Sequence, residues 1–164
     1  MAKIVRTISD DASVVATAID ATDIVSEIEQ IHKTSAVVTA ALGRLTIAAS
    51  LMGIGLKGEK DTLTLRMNGN GPTGALIAVA DSRGNVKSYV CNPVVEIPLN
   101  KYGKLDVAGA VGKEGTLSVV KDLGLKEPYC GQIPIASGEI AEDIASYFAT
   151  VSYTHLRAHE TGRN

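Results

Sequence analysis

Residues 36–56, AVVTAALGRLTIAASLMGIGL, constrain the chain more than any other stretch. The run is long and apolar enough to cross a bilayer or to form the central helix of a soluble core. Energetics separate the two. Its roughly nine large apolar residues gain about 0.3–0.6 kcal/mol each on insertion, and Arg44 near the middle costs about 2.5–3.5 kcal/mol. The balance is close to zero before Thr39, Thr46 and Ser50 are counted against it. The segment therefore reads as a buried helix. Its small residues, among them Ala40, Ala41, Gly43, Ala48, Ala49 and Ser50, let other elements approach closely.

A core helix needs layers around it, and the flanking patterns supply them. Ile4–Ile8 and Ser13–Ile19 are β-rich runs on either side of Asp10-Asp11, a turn signal, and read as a hairpin. Ile24, Ile28 and Ile31 follow helical spacing, with Asp20 or Thr22 as the cap. Ser35 is placed to cap the apolar helix, and Gly53, Gly55 and Gly58 end it. Strands are expected over 61–68, 74–81, 86–91 and 93–97, with Gly84-Asn85 as a tight hairpin turn. A short helix is expected over 104–112 and a further strand pair over 115–124 and 129–135. Ser137 reads as the cap of a last helix with Glu139 in its first turn, and with Ile140, Ile144 and Tyr147 or Phe148 toward the core. Strands, two helices, a meander and a helix predict an α+β fold, a mostly antiparallel sheet packed with helices.

Within the meander lies Gly69-Asn70-Gly71-Pro72-Thr73-Gly74, a literal G-x-G-x-x-G. A dinucleotide loop must open a helix, whose N-terminus holds the pyrophosphate. Here Ala75–Asp81 is a short apolar run ending in turn residues, which reads as a strand, and Pro72 removes an N–H from the supposed cradle. The stretch reads as a strand–loop–strand connection.

Composition excludes several function classes. The 164 residues suit one domain and bury enough surface to fold without metals or disulfides. A net charge of −2 offers no field for nucleic acid. One Phe and no Trp make no base-stacking platform. Cys91 and Cys130 form neither a disulfide framework nor a zinc set, and read as small buried thiols. The opening Met1-Ala2-Lys3-Ile4-Val5 lacks the apolar run of a signal peptide, so a cytoplasmic location is expected. From Val151 the sequence turns polar and loses periodicity, and 151–164 reads as a flexible, non-native tail. His155 and His159 there have helical spacing but no third metal ligand.

No catalytic constellation emerges. His32 ends a helix, where a cation suits the dipole. Asp10-Asp11 reads as a turn and Glu142-Asp143 as a solvated helix face; Gly103, Gly109 and Gly112 make no phosphate loop. Catalytic, cofactor and metal residues are expected to be none. An alternative is a cysteine-dependent enzyme using Cys91 or Cys130, each near a turn or a glycine, although no partner base is visible.

Three long blocks carry a family resemblance: TSAVVTAALGRLTIAASLMGIGLKG (34–58), LTLRMNGNGPTGALIAVADSRGNVKSYVCNP (63–93) and the run from Gly103 to Thr150, together with the opening β pair. Over residues 1–150 the chain resembles the redox-regulated heat shock family called the 33 kDa chaperonin. The resemblance implies an ATP-independent holdase that binds unfolding client proteins under oxidative or heat stress and tends to dimerise when oxidised. It also implies that Gly69–Gly74 joins sheet strands. In that family a C-terminal domain holds zinc through four cysteines, and oxidation of those thiolates releases it. Cys91 and Cys130 do not match those cysteines, so no cofactor is expected in this chain. The expected organisation is an N-terminal core domain, 1–150, incomplete before its last strands, with the zinc domain absent. An inert fragment is the remaining alternative.

Overall fold

The computed structural model describes residues 2–160, with side chains through Val151. Eleven elements follow in order: β1 (Lys3–Ile8), β2 (Val15–Asp20), α1 (Thr22–His32), α2 (Ala36–Gly53), β3 (Thr62–Asn68), β4 (Leu76–Asp81), β5 (Val86–Val90), α3 (Val107–Val111), β6 (Thr116–Asp122), β7 (Tyr129–Pro134) and α4 (Ala141–Glu160). The fold is α+β, as expected, with every strand pair antiparallel.

Two sheets form. β1 and β2 make a separate two-stranded ribbon, and the other strands make a sheet of order β5-β4-β3-β6-β7. The alternation in Leu63, Leu65 and Met67 places all three on one face, fully buried. Leu76, Ala78, Leu117 and Val119 extend that face across the neighbouring strands. Each such large side chain contributes roughly 1.5–3 kcal/mol by leaving water.

Helix α2 lies on this face and makes the core. Val38, Ala41, Leu42, Leu45 and Ala49 are fully buried. The small residues work as the sequence suggests. A Cβ on Gly43 would stand 3.1 Å from Val25 of α1, and one on Gly53 would stand 2.9 Å from Ala80 of β4. Arg44, the residue that argued against a membrane span, is exposed on the far side of the helix.

The glycine stretch is a backbone dock. Gly71 N–H donates to Val111 O at 3.0 Å and Thr73 N–H to Ala110 O at 3.1 Å, so these donors serve the last carbonyls of α3. Side chains on Gly69 or Gly71 would collide with the backbone of residues 110–112. Strand β4 follows, not a helix, and the N–H groups that a phosphate would need are already used.

Several local expectations are corrected. Residues 93–97 form no strand; they run beside α2 without a sheet partner. Ala21, not Asp20 or Thr22, is the N-cap of α1, and the Asp20 carboxylate accepts from Thr22 N–H at 3.2 Å instead. Ser35 occupies the N-cap of α2, but its hydroxyl leaves the helix for Val95, accepting from N–H and donating to C=O, each at 3.0 Å. Helix α4 begins at Ala141, after the expected cap Ser137. The Asp143 carboxylate secures that start, accepting from Ala136, Ser137 and Ile140 N–H at 2.7–2.9 Å. Asp143 is thus fully buried and not on a solvated face, because three backbone donors compensate its charge. The backbone of α4 continues through the expected tail to Glu160. The side chains of His155 and His159 lie outside the described residues.

Candidate functional site

An apolar groove of about 790 Å³ lies between β2, the outer face of α2 and the start of α4. Its construction follows from helical spacing. Arg44 marks the solvent side of α2, and Ile47, Ala48, Leu51 and Met52 recur on that side at three- and four-residue steps. Helix α4 supplies Ile144 and Phe148 to the opposite wall, Ile140 joins them from the turn just before it, and the ribbon supplies Val15 and Thr17.

The Tyr147/Phe148 alternative resolves by helical phase. Tyr147 is buried and Phe148 is 44% exposed, the two rings meeting edge to face at 5.7 Å. Gly131 of β7 makes room for the buried ring, since a Cβ there would lie 3.0 Å from Tyr147. Burial, with the Tyr129 phenol close by, pushes the Tyr147 hydroxyl well above the usual phenol range.

Charge sits at the rim. Arg44 Nη1 donates to Glu139 Oε2 at 2.8 Å, joining α2 to the turn that precedes α4. Lys121 of β6 also lines the groove, its ammonium 5.6 Å from the centre of the Tyr129 ring. The result is an apolar trough with a charged lip, suited to holding hydrophobic side chains.

The sequence offers the apolar helix 36–52 as a candidate client surface but reads it first as core, and it singles out no residues within it. The structure divides that helix into a core face and a groove face. Arg44 followed by Ile47, Ala48 and Leu51 was the available signal, because a charge inside an apolar helix marks which stripe meets water.

The chemistry-bearing residues are scattered. His32 Nε2 lies 3.0 Å from Ser88 O, and since a carbonyl only accepts, Nε2 carries the proton. Its ring also stacks edge to face on Tyr89 at 6.4 Å. Cys91 and Cys130 are both exposed, which corrects the expectation of buried thiols. Cys130 takes an exposed position of the alternating edge strand β7, and Cys91 lies in the connection just past β5. β5 and β7 are the two edges of the five-stranded sheet. Four strand spacings separate those edges, roughly 19 Å, too far for a disulfide within the chain. Among the described residues no group of three or more His, Cys, Asp or Glu is placed to hold a metal ion.

Fold and groove define a class: an α+β domain with an open apolar groove beside its core helix. Comparison with known proteins places it more closely. The Hsp33 protein family model matches residues 2–153. A 33 kDa chaperonin of Alkaliphilus metalliredigens is 49% identical over 146 residues, 89% of this chain and 50% of the relative. One of Agathobacter rectalis is 50% identical over 147 residues, 90% of this chain and 51% of the relative. The crystal structure of the Thermotoga maritima 33 kDa chaperonin superposes with a TM-score of 0.84 at 45% identity, covering 89% of this chain and 50% of that one. The chain belongs to the Hsp33 family. It spans about half the length of the curated relatives it matches.

Proposed function

We propose that this chain is the client-binding part of an ATP-independent holdase, and that the groove between α2 and α4 receives apolar segments of unfolding proteins. One observation carries the reading: Ile47, Leu51 and Phe148 converge on a single open trough, although burying them would stabilise the domain. Large apolar surface left open on a folded domain marks an interaction site. Binding there needs no nucleotide, no metal and no catalytic group. The zinc-dependent redox switch of the family then belongs to the part of the relatives that this chain does not span, and residues 1–150 act as a core domain in the cytoplasm. Dimerisation on oxidation belongs to the same proposal.

The test is light scattering from a heat-unfolding client mixed with this chain, without ATP, in reductant and then in peroxide. Equal suppression in both is expected. Leu51→Asp in the groove is expected to weaken suppression about tenfold, since a buried leucine contributes roughly 1.5–3 kcal/mol and 1.4 kcal/mol is tenfold. Val79→Asp, on the opposite face of the sheet and 39% exposed, leaves suppression unchanged. Equal effects of the two substitutions would reject the groove as the client site.

A further inference from the structure

The segment after β5 has the pattern of a strand and no strand beside it. From Val94 to Ile97 burial alternates: Val94 is exposed, Val95 buried, Glu96 exposed and Ile97 partly buried. Pro98 holds Ile97 in the extended region. Ser35 pins one edge. Its N–H donates to Pro93 O at 2.9 Å, and its hydroxyl accepts from Val95 N–H and donates to Val95 O. A single serine thereby satisfies the groups that a neighbouring strand would otherwise satisfy.

Extended backbone alternates its polar groups from side to side. With residues 93 and 95 turned toward Ser35, the N–H and C=O of Val94 and Glu96 turn the other way, and among the described residues they have no partner. A cleft of about 500 Å³ runs along this open side, with Pro72 on the far wall. The wall is fixed, because Asn92 Nδ2 donates to Pro72 O at 2.8 Å and Asn92 N–H to Thr73 O at 3.0 Å. Val94 is 62% exposed, and the exposed Glu96 carboxylate beside it makes no ion pair among the described residues.

We propose that Val94–Ile97 is a docking edge for an extended peptide, which adds as a strand to the backbone of Val94 and Glu96 and places a basic side chain against Glu96. Unpaired backbone groups select an extended backbone, the exposed valine selects apolar neighbours, and the carboxylate selects a cation. The neighbouring edge strand of the sheet, β5, is unavailable at Ser88, whose carbonyl is held by His32. This site is separate from the α2–α4 groove and stands or falls independently of it.

The probe is a short peptide alternating valine and threonine around one lysine, titrated into the chain while backbone amide exchange is followed by NMR. Exchange at Val94 and Glu96 is expected to slow by roughly tenfold or more on saturation. A peptide N-methylated at alternate residues, which cannot donate to the edge, leaves both amides unprotected. Glu96→Lys is expected to weaken the lysine peptide and to favour its glutamate counterpart. Protection confined to the α2–α4 groove, equal binding of the methylated peptide, or no binding would each overturn the proposal. Glu96 is exposed, and the exchange measurement on the unaltered chain decides the matter without any variant.

Discussion

The five-stranded sheet and the β1–β2 ribbon use the same antiparallel pairing and reach opposite ends of the burial scale. In the sheet, Leu63 and Leu65 are 0% exposed; in the ribbon, Val5 and Val15 are 53% and 50% exposed. Both regions are β-rich in sequence and both pair in regular antiparallel register. The difference is what each face meets. β3 and β4 lie under α2, whereas the ribbon touches the rest of the molecule at few places, such as Ile4 near Gly84 and Val15 at the groove. A two-stranded ribbon alone is marginally stable in water. Local sequence specifies a strand; a packed layer over it makes the strand stable.

The comparison is sharpest when methyl groups are removed from both regions. Leu65→Ala in β3 is expected to cost roughly 2–5 kcal/mol, because the cavity sits in a closed layer. Val5→Ala in the ribbon is expected to stay within about 0.5 kcal/mol. Urea unfolding of the two variants measures both, and similar midpoints would erase the distinction.

A somewhat smaller effect is expected where α4 is fastened to the sheet. Asp143→Ala leaves three backbone donors near β7 without their acceptor. A cost on the order of 3 kcal/mol is expected from desolvated donors. Calorimetry should show a lowered midpoint, while Asp143→Asn, which keeps an acceptor oxygen, falls between that variant and the parent.

The smallest effect belongs to the ribbon turn. Asp11 accepts from the Ser9 and Ser13 hydroxyls, and those hydrogen bonds hold its carboxyl at about 2. A depressed carboxylate stabilises the fold above its unfolded value near 4 and loses that stabilisation as pH falls toward 2. Protection of the amides in residues 9–14, relative to the exchange rate of unstructured peptide at the same pH, should therefore fall between about pH 4 and 2, before that of the five-stranded sheet. Simultaneous opening of both regions would mean that ribbon and sheet are one cooperative unit.

Much of this fold was legible in the chain. The runs 62–67 and 116–120, the hairpin turn at Gly84-Asn85 and the helix 36–53 all appear close to where periodicity places them, because each depends on neighbours in sequence. Misreadings fall where a residue's partner is distant. Ser35 has a capping residue's identity and position, yet bonds to Val95, sixty residues away. Asp143 has the sequence context of a surface carboxylate, yet closes a turn of buried N–H groups. Residues 93–97 have strand composition, but no strand lies alongside them. The groove was only half visible: Arg44 marks the exposed stripe of α2, whereas the opposing wall from α4 comes from nearly a hundred residues later.

The sequence by itself determined which segments are helical or extended, which faces are apolar, and that the glycine stretch opens no nucleotide-binding helix. Those properties follow from backbone sterics and side-chain period, which act over a few residues. Only the tertiary structure decided that α2 has both a core face and an open face, that Cys91 and Cys130 stand at opposite sheet edges, and that the glycine loop caps α3. Each of these depends on which surfaces meet across long stretches of chain, and burial is a property of that meeting.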